Sequence, residues 1–131
     1  MICADTSSLV ALLDGEPGRD VDLVRQALRD RILFISPISV TELLSDPNPT
    51  PSLEELVIEI PQLEISPGYW ERAGNLRAKM FRRQFRPKIA DTLIAQSCLD
   101  HDVPLVTRDR DFLSFQKFAG LRVLAIGGLS Q

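Results

Sequence analysis

Histidine and cysteine are scarce in this chain, and their scarcity excludes several kinds of catalytic site. The sequence contains one histidine, His101, and two cysteines, Cys3 and Cys98. A zinc site built from these residue types is disfavoured, and a hydrolase that pairs a serine or cysteine nucleophile with a histidine base is hard to build. Both cysteines lie inside apolar runs, so we expect two buried free thiols without a disulfide. His101, which stands between two aspartates, is expected to be exposed.

Long apolar runs and glycine-rich phosphate loops are also missing. No apolar stretch approaches the roughly 20 residues that a membrane-spanning helix needs. The first apolar run is not preceded by the basic region that a signal peptide carries. We therefore expect a cytoplasmic protein that does not interact with membranes. An NTPase is disfavoured because no glycine loop is present to hold a triphosphate.

The composition is that of one ordinary globular domain. Of 131 residues, 44% are hydrophobic and 25% are charged, which are values typical of folded proteins. A chain of this length can bury a core without the help of a metal or a disulfide. We expect residues 1–131 to form a single domain.

Positive charge is concentrated in one segment, which we call the basic stripe, from Arg72 to Lys88. The formal net charge is −3, which disfavours a protein that coats nucleic acid in general. The basic stripe nevertheless holds seven basic residues and no acid, whereas the rest of the chain holds eight basic and 18 acidic residues. Two interpretations stay open: a solvated helix face, or a local surface that binds phosphates.

Apolar runs and amphipathic segments alternate along the chain. Short apolar runs predict strands at residues 1–4, 32–35, 63–65, 105–107 and 121–126. Helical periodicity predicts helices at residues 9–13, 19–29, 38–45, 53–60, 69–83, 89–99 and 109–115, of which the helix at 53–60 has the weakest pattern. Strands that alternate with helices are typical of an α/β fold with a parallel sheet. We predict about five parallel strands with helices on both faces.

Four acids are expected to meet at one edge of this sheet. Asp5 and Asp109 follow predicted strands, and Glu42 and Asp91 lie in the first turns of helices. Ligands of an open parallel sheet bind beyond the carboxyl ends of its strands. Four carboxylates there would repel one another unless a cation lay among them, and carboxylates are preferred ligands of magnesium and manganese.

Each acid also has a simpler explanation. Asp5 and Asp91 could cap helices and complement their dipoles. Asp109 and Asp111 could form salt bridges with the arginines between and before them. Glu42 lies at the border of an apolar stripe. The four acids together are more informative than any one of them.

Four blocks of sequence carry a resemblance to a known family. They are residues 1–9 (MICADTSSL), 38–44 (ISVTELL), 90–95 (ADTLIA) and 105–112 (LVTRDRDF). The chain resembles PIN-domain ribonucleases, most closely the compact toxins of the VapBC type, and the four blocks appear in family order. The resemblance implies a PIN-like three-layer sandwich. It also implies an acidic metal site of Asp5, Glu42, Asp91 and Asp109, oriented by Thr107, with Asp111 either reaching a second metal or supporting the loop.

The function implied by the resemblance is hydrolysis of phosphodiester bonds in single-stranded RNA with Mg²⁺ or Mn²⁺. The RNA would contact the basic stripe, and the predicted contacts are Arg72, Lys79, Arg82, Arg83 and Arg86. A small antitoxin protein and a second copy of the chain are the expected partners. The alternative is a catalytically silent PIN-like module that binds protein. A phosphatase of the haloacid dehalogenase type is disfavoured because Ser7 stands where that family has a second acid.

Overall fold

Four short strands form a wholly parallel sheet in the computed structural model, which describes residues 1–126. The strands are β1 (Ile2–Ala4), β2 (Leu33–Ile35), β3 (Leu105–Thr107) and β4 (Val123–Ile126). Their spatial order is β2-β1-β3-β4, so β1 and β3 occupy the centre. Both central strands are apolar and mostly buried, as strands covered on both faces must be.

Seven α-helices cover the sheet within the described residues. They are α1 (Thr6–Leu13), α2 (Arg19–Arg29), α3 (Pro37–Leu44), α4 (Pro51–Glu59), α5 (Tyr69–Arg82), α6 (Ile89–His101) and α7 (Leu113–Ala119). A single 3₁₀ turn (Arg110–Phe112) precedes α7. Among residues 1–126, no helix is both long enough and apolar enough to cross a bilayer.

The core is divided into two clusters, one on each face of the sheet. Cys3 and Leu105 belong to the cluster that also contains buried residues of α5, α6 and α7. Their neighbours in sequence, Ala4 and Val106, belong to the cluster with residues of α1 to α4. Successive side chains of a strand point to opposite faces, so each central strand contributes to both clusters. This arrangement confirms the predicted α/β fold with helices on both faces.

The predicted number of about five strands is too high for the described residues, where the sheet has four. The segment predicted as a strand at 63–65 forms no strand, and the one isolated bridge near it pairs Gln62, the residue before it, with Ile35. Leu63 is buried and donates its N–H to the carbonyl oxygen of Ile35, but the next two residues are exposed. Within residues 1–126 no further bridge follows this one, so the segment does not add a strand to the sheet.

Three further expectations from the sequence can be compared with the structure. Cys3 and Cys98 are fully buried free thiols, as predicted. His101 is partly buried, whereas the sequence predicts an exposed side chain, and its Nε2 atom lies 2.8 Å from the carbonyl oxygen of Glu64. The weak helical pattern near residue 53 does form a helix, α4, whose first turn is capped by the Thr50 hydroxyl.

Candidate metal centre

The fold brings the carboxyl ends of β1 and β3 together at the middle of the sheet. The chain crosses from β1 to one side and from β3 to the other, so a crevice opens between the two strand ends. Asp5 directly follows β1, and Asp109 lies two residues after β3. Asp91 is in the first turn of α6, and Glu42 is in α3, which follows β2.

Asp5 is buried at this crevice and is held by two hydroxyl groups. Its Oδ2 atom accepts hydrogen bonds from Ser7 Oγ at 2.6 Å and from Thr107 Oγ1 at 2.8 Å. Burial raises the pKa of Asp5, and these hydrogen bonds partly oppose the effect of burial. Asp5 occupies the N-cap position of α1, yet its side chain makes no capping hydrogen bond. The backbone N–H groups of Thr6 and Ser7 still lower its pKa, so the start of α1 contributes to holding the charge of this acid.

Thr107 links the acid of β1 to the acid that follows β3. Its hydroxyl donates to Asp5 and also accepts the backbone N–H of Asp109 at 3.0 Å. The Asp109 carboxylate in turn accepts the backbone N–H of Asp111 at 2.9 Å. These bonds set the course of the loop after β3 and, with it, the positions of the two aspartates.

Three carboxylates come closest together: Asp91, Asp109 and Asp111, which we call the acid triad. One carboxylate oxygen from each lies within 4.8 Å of those of the other two. Asp91 and Asp109 are partly buried and Asp111 is exposed. Asp5 and Glu42 lie outside this closest group.

The electrostatics of Asp91 show that the other acids are nevertheless near. Partial burial raises the pKa of Asp91 to about 6, with further upward contributions from the charges of Asp109, Asp5 and Glu42. Lys88 acts in the opposite direction. Glu42 itself is exposed, and its Oε1 atom accepts a hydrogen bond from Thr6 Oγ1 at 2.6 Å. All four predicted acids therefore belong to one electrostatic group.

The donor set fits a hard divalent cation. The acid triad offers only carboxylate oxygens, which suit magnesium or manganese better than zinc. Burial, and after it the charges of the neighbouring acids, raises the pKa of Asp91, and a bound cation would favour the charged carboxylate again. The metal-ligand roles of Asp5, Glu42, Asp91 and Asp109 stay predictions, as does the choice of ion.

Arg108 is engaged elsewhere and does not neutralise the acids beside it in the sequence. Its Nε and Nη2 atoms donate to both carboxylate oxygens of Asp20, at 2.9 and 3.0 Å. Asp20 is fully buried and also accepts a hydrogen bond from Ser8 at 2.7 Å. Within residues 1–126, neither Asp109 nor Asp111 forms a salt bridge, so the alternative of a loop stabilised by ion pairs is wrong for these two acids.

The side chains of the basic stripe lie in different surroundings. Arg72 forms a salt bridge with Asp100 at 2.6 Å and also donates to Ser66 and to the carbonyl oxygen of Pro67. Lys79, Arg82 and Arg83 are exposed near the end of α5. Arg86 lines a cleft beside Asp91 and Asp111. The RNA contacts predicted for these five residues stay predictions.

Sequence reasoning missed three residues that shape the site. Ser7 binds Asp5 and accepts the backbone N–H of Arg108 at 3.3 Å, Thr6 binds Glu42, and Asp20 holds Arg108. In the sequence, the hydroxyl residues directly after Asp5 indicate only the start of a helix. Nothing local in the sequence marks Asp20, because its partner Arg108 lies 88 positions away.

Comparison with known proteins gives a consistent family and fold. No curated protein sequence matches this chain. Among solved structures, DNA-bound VapBC from Salmonella typhimurium is similar, with a TM-score of 0.76, 19% identity, and coverage of 94% of this chain and 96% of that one. VapBC2 from Rickettsia felis, bound to a promoter DNA fragment, has a TM-score of 0.75 and 18% identity, with coverage of 95% and 98%. A toxin–antitoxin complex from Klebsiella pneumoniae has a TM-score of 0.68 and 22% identity, with coverage of 96% and 98%.

These structural similarities, at low identity, describe the fold. The family follows from the sequence itself, since the PIN domain profile matches residues 2–118 and so spans most of the chain. That match includes all the acids of the crevice between β1 and β3. The chain therefore belongs to the PIN domain family.

Proposed function

We propose that this chain is a metal-dependent endoribonuclease that hydrolyses phosphodiester bonds of single-stranded RNA. The observation that carries the proposal is the acid triad, with its three carboxylates within 4.8 Å of one another at the crevice between the central strands. Membership of the PIN domain family supports a nuclease, because PIN domains are generally nucleases. The assignment of RNA as the substrate is part of the proposal.

Asp91, Asp109 and Asp111, with Asp5 and Glu42 beside them, would hold Mg²⁺ or Mn²⁺. When bound, such an ion lowers the pKa of a water molecule and offsets the charge that develops on the scissile phosphate. No covalent nucleophile from the protein is needed. The single histidine, His101, contacts the Glu64 carbonyl oxygen and is not part of the crevice. A proton released at the crevice would therefore be accepted by one of the acids.

The remaining residues of the site act by positioning. Ser7 and Thr107 hold one oxygen of the Asp5 carboxylate in a fixed orientation. Thr107 also fixes the backbone of Asp109, so one hydroxyl sets the separation between acids from two strands. The Asp20–Arg108 pair anchors the loop after β3 against α2. A rigid set of acids reduces the reorganisation needed when a phosphate binds.

We further propose that the protein is the toxin of a toxin–antitoxin pair and works in the cytoplasm. The similar structure from Klebsiella pneumoniae is a toxin–antitoxin complex, which supports a small antitoxin protein as a partner. A homodimer is the expected assembly of the free chain. Gel filtration with light scattering would test the dimer, and co-purification with the product of a small adjacent reading frame would test the antitoxin.

Cleavage of total cellular RNA tests the enzymatic proposal directly. The wild type should cleave RNA with magnesium or manganese and stop in excess chelator. Asp91→Asn and Asp109→Asn should lose most of the activity, whereas Glu55→Gln, which removes an exposed acid of α4, should retain it. Mapping the cleaved ends would identify the target. A folded wild type that cleaves no RNA with either ion would favour the catalytically silent, protein-binding alternative.

A further inference from the structure

A cleft opens directly beside the acid triad, between the start of α6 and the start of α7. Its volume is about 460 Å³, within the range of roughly 300–1,000 Å³ found for ligand pockets. Asp91 and Asp111 form part of its wall, so whatever fills the cleft lies next to the acids. We call it the α6–α7 cleft.

Four cations surround the α6–α7 cleft. They are Arg86, Lys88, Arg110 and Lys117, and all four side chains are exposed. Two come from the end of the basic stripe and two from the 3₁₀ turn and α7, so two separate segments of the chain supply the positive charge. A polyanion that passes the acid triad would meet this positive charge, as the binding of a nucleic-acid backbone requires.

An aromatic ring, Phe85, completes the wall of the cleft. Phe85 is 37% exposed although it is a large apolar side chain. The end of α5 holds it there. Gln84 adopts a left-handed conformation with φ of 70°, and the N–H of Phe85 donates to the carbonyl oxygen of Met80 at 3.0 Å. This is the hydrogen bond of a Schellman turn, which fixes the residue after the helix end.

The Phe85 ring is also supported from behind. Its centroid lies 5.1 Å from that of Phe118 in a tilted arrangement. The Phe118 ring is in turn covered by the Arg83 guanidinium at 5.3 Å and by Lys117 Nζ at 5.1 Å. Phe85 is therefore a partly exposed ring packed against a second ring, which is the form of an aromatic platform on which a base can stack.

We propose that the α6–α7 cleft binds the nucleotide next to the scissile phosphate, with its base on Phe85 and its flanking phosphates on Lys117 and the other three cations. This proposal rests on the proposed function for the position of the scissile phosphate, and it adds a base-contacting residue and two α7-side cations outside the basic stripe. The favoured ligand is a single strand, because a base can reach the ring only when it is free of a partner strand.

Binding of two labelled oligonucleotides in chelator tests the cleft without cleavage. One probe is an oligoadenylate about twelve nucleotides long, and the other is an abasic ribose-phosphate strand of the same length. Phe85→Leu should lower the affinity for oligoadenylate by about tenfold and leave the abasic strand within about twofold, because stacking needs a base. Phe85→Tyr, which keeps an aromatic ring, should bind oligoadenylate as tightly as the wild type. Trp70→Leu, an exposed aromatic outside the cleft, is the matched control and should bind both probes like the wild type.

The role of Lys117 is tested by the salt dependence of binding of the same two probes. Lys117→Gln should weaken both probes and reduce the slope of log affinity against log salt by about 0.7, the value expected for one lost phosphate contact on a single strand. Arg25→Gln, an exposed cation of α2 that does not line the cleft, is its control and should leave the slope unchanged. Melting curves of all variants ensure that only folded proteins are compared.

The possible results separate this proposal from the proposed function. If the wild type cleaves RNA but Phe85→Leu weakens neither probe, or weakens both equally, the cleft does not bind a base and the nuclease stands. If Lys117→Gln leaves the slope unchanged, no phosphate lies at Lys117 and the proposed course of the strand through the cleft is wrong. If the wild type cleaves nothing while base binding depends on Phe85, the cleft stands and the nuclease does not.

Discussion

Replacing Asp91 with asparagine should stabilise the metal-free protein at neutral pH, although Asp91 is expected to be essential for activity. Burial and the neighbouring acids raise the pKa of Asp91 from 3.8 to about 6. A carboxyl whose pKa is raised in the folded state stabilises the fold fully below pH 3.8. That stability is lost as the pH rises through 6, because the folded state binds the proton more tightly than the unfolded state.

The size of the effect follows from the pKa. One pKa unit corresponds to 1.36 kcal/mol, so a rise from 3.8 to about 6 corresponds to ~3 kcal/mol. The side chain is partly exposed, and screening by water reduces this to about 1–2 kcal/mol. Asp91 also lies in the first turn of α6, where a negative charge is favourable by roughly 0.3–1 kcal/mol. The net expectation is a gain of about 1 kcal/mol for Asp91→Asn above pH 7.

Melting curves in chelator between pH 4 and pH 8 measure this gain. The free energy of unfolding of Asp91→Asn should equal that of the wild type near pH 4 and exceed it by about 1 kcal/mol near pH 8. For a domain of this size that is a difference of about 3–6 °C in melting temperature. Glu55→Gln, which removes an exposed acid of α4, should differ from the wild type by less than about 0.5 kcal/mol at every pH.

Magnesium should reverse the order of the two proteins. With the ion about tenfold above its dissociation constant, a binding protein gains RT ln 11, or roughly 1.4 kcal/mol, and Asp91→Asn should gain clearly less. The reasoning is refuted if Asp91→Asn is less stable than the wild type in chelator at pH 8, since burial and the neighbouring acids would then not disfavour the charge of Asp91 in the folded protein. Equal stabilisation of both proteins by magnesium would show that Asp91 is not a ligand.

Three further predictions concern the groups around the acids. Thr107→Val should lower the activity, and it should lower the free energy of unfolding by about 1–3 kcal/mol, because it removes a buried hydroxyl that bonds to Asp5 and to the Asp109 N–H. Full activity of this variant in the cleavage assay would exclude an orienting role for Thr107. Asp20→Asn should destabilise the fold by about 2–3 kcal/mol in urea unfolding, because Arg108 would lose its buried charged partner and keep only the exposed Glu16. A change below about 0.5 kcal/mol would contradict this. Gln84→Gly should raise the melting temperature by a few degrees, because the φ of Gln84 is 70° and glycine relieves roughly 1–2 kcal/mol of backbone strain there. The greater conformational freedom of glycine in the unfolded state offsets part of this gain. A lower melting temperature would argue against strain at this turn.

The elements of the fold could largely be predicted from local sequence patterns. Apolar runs located β1, β2, β3 and β4 to within about two residues, and helical periodicity located α1 to α6. The helix predicted at 109–115 is displaced, because residues 110–112 form a 3₁₀ turn and α7 spans Leu113–Ala119. The other exception was the segment at residues 63–65, which has the composition of a strand. Whether such a segment joins a sheet depends on a neighbouring strand that can pair with it, and here the one bridge to Ile35 is made by Gln62, the residue before the segment.

The sequence by itself also determined which acids are candidates for the site, because Asp5 and Asp109 follow the strands whose ends the parallel topology brings together. Only the tertiary structure decided how they are arranged. It placed Asp111 in the closest group of carboxylates, directed Ser7 and Thr107 onto Asp5, and paired Arg108 with Asp20 instead of with its neighbours. Strands and helices reflect periodicity over a few residues, whereas these contacts join groups up to 102 positions apart, and their geometry is set by how helices pack on the sheet.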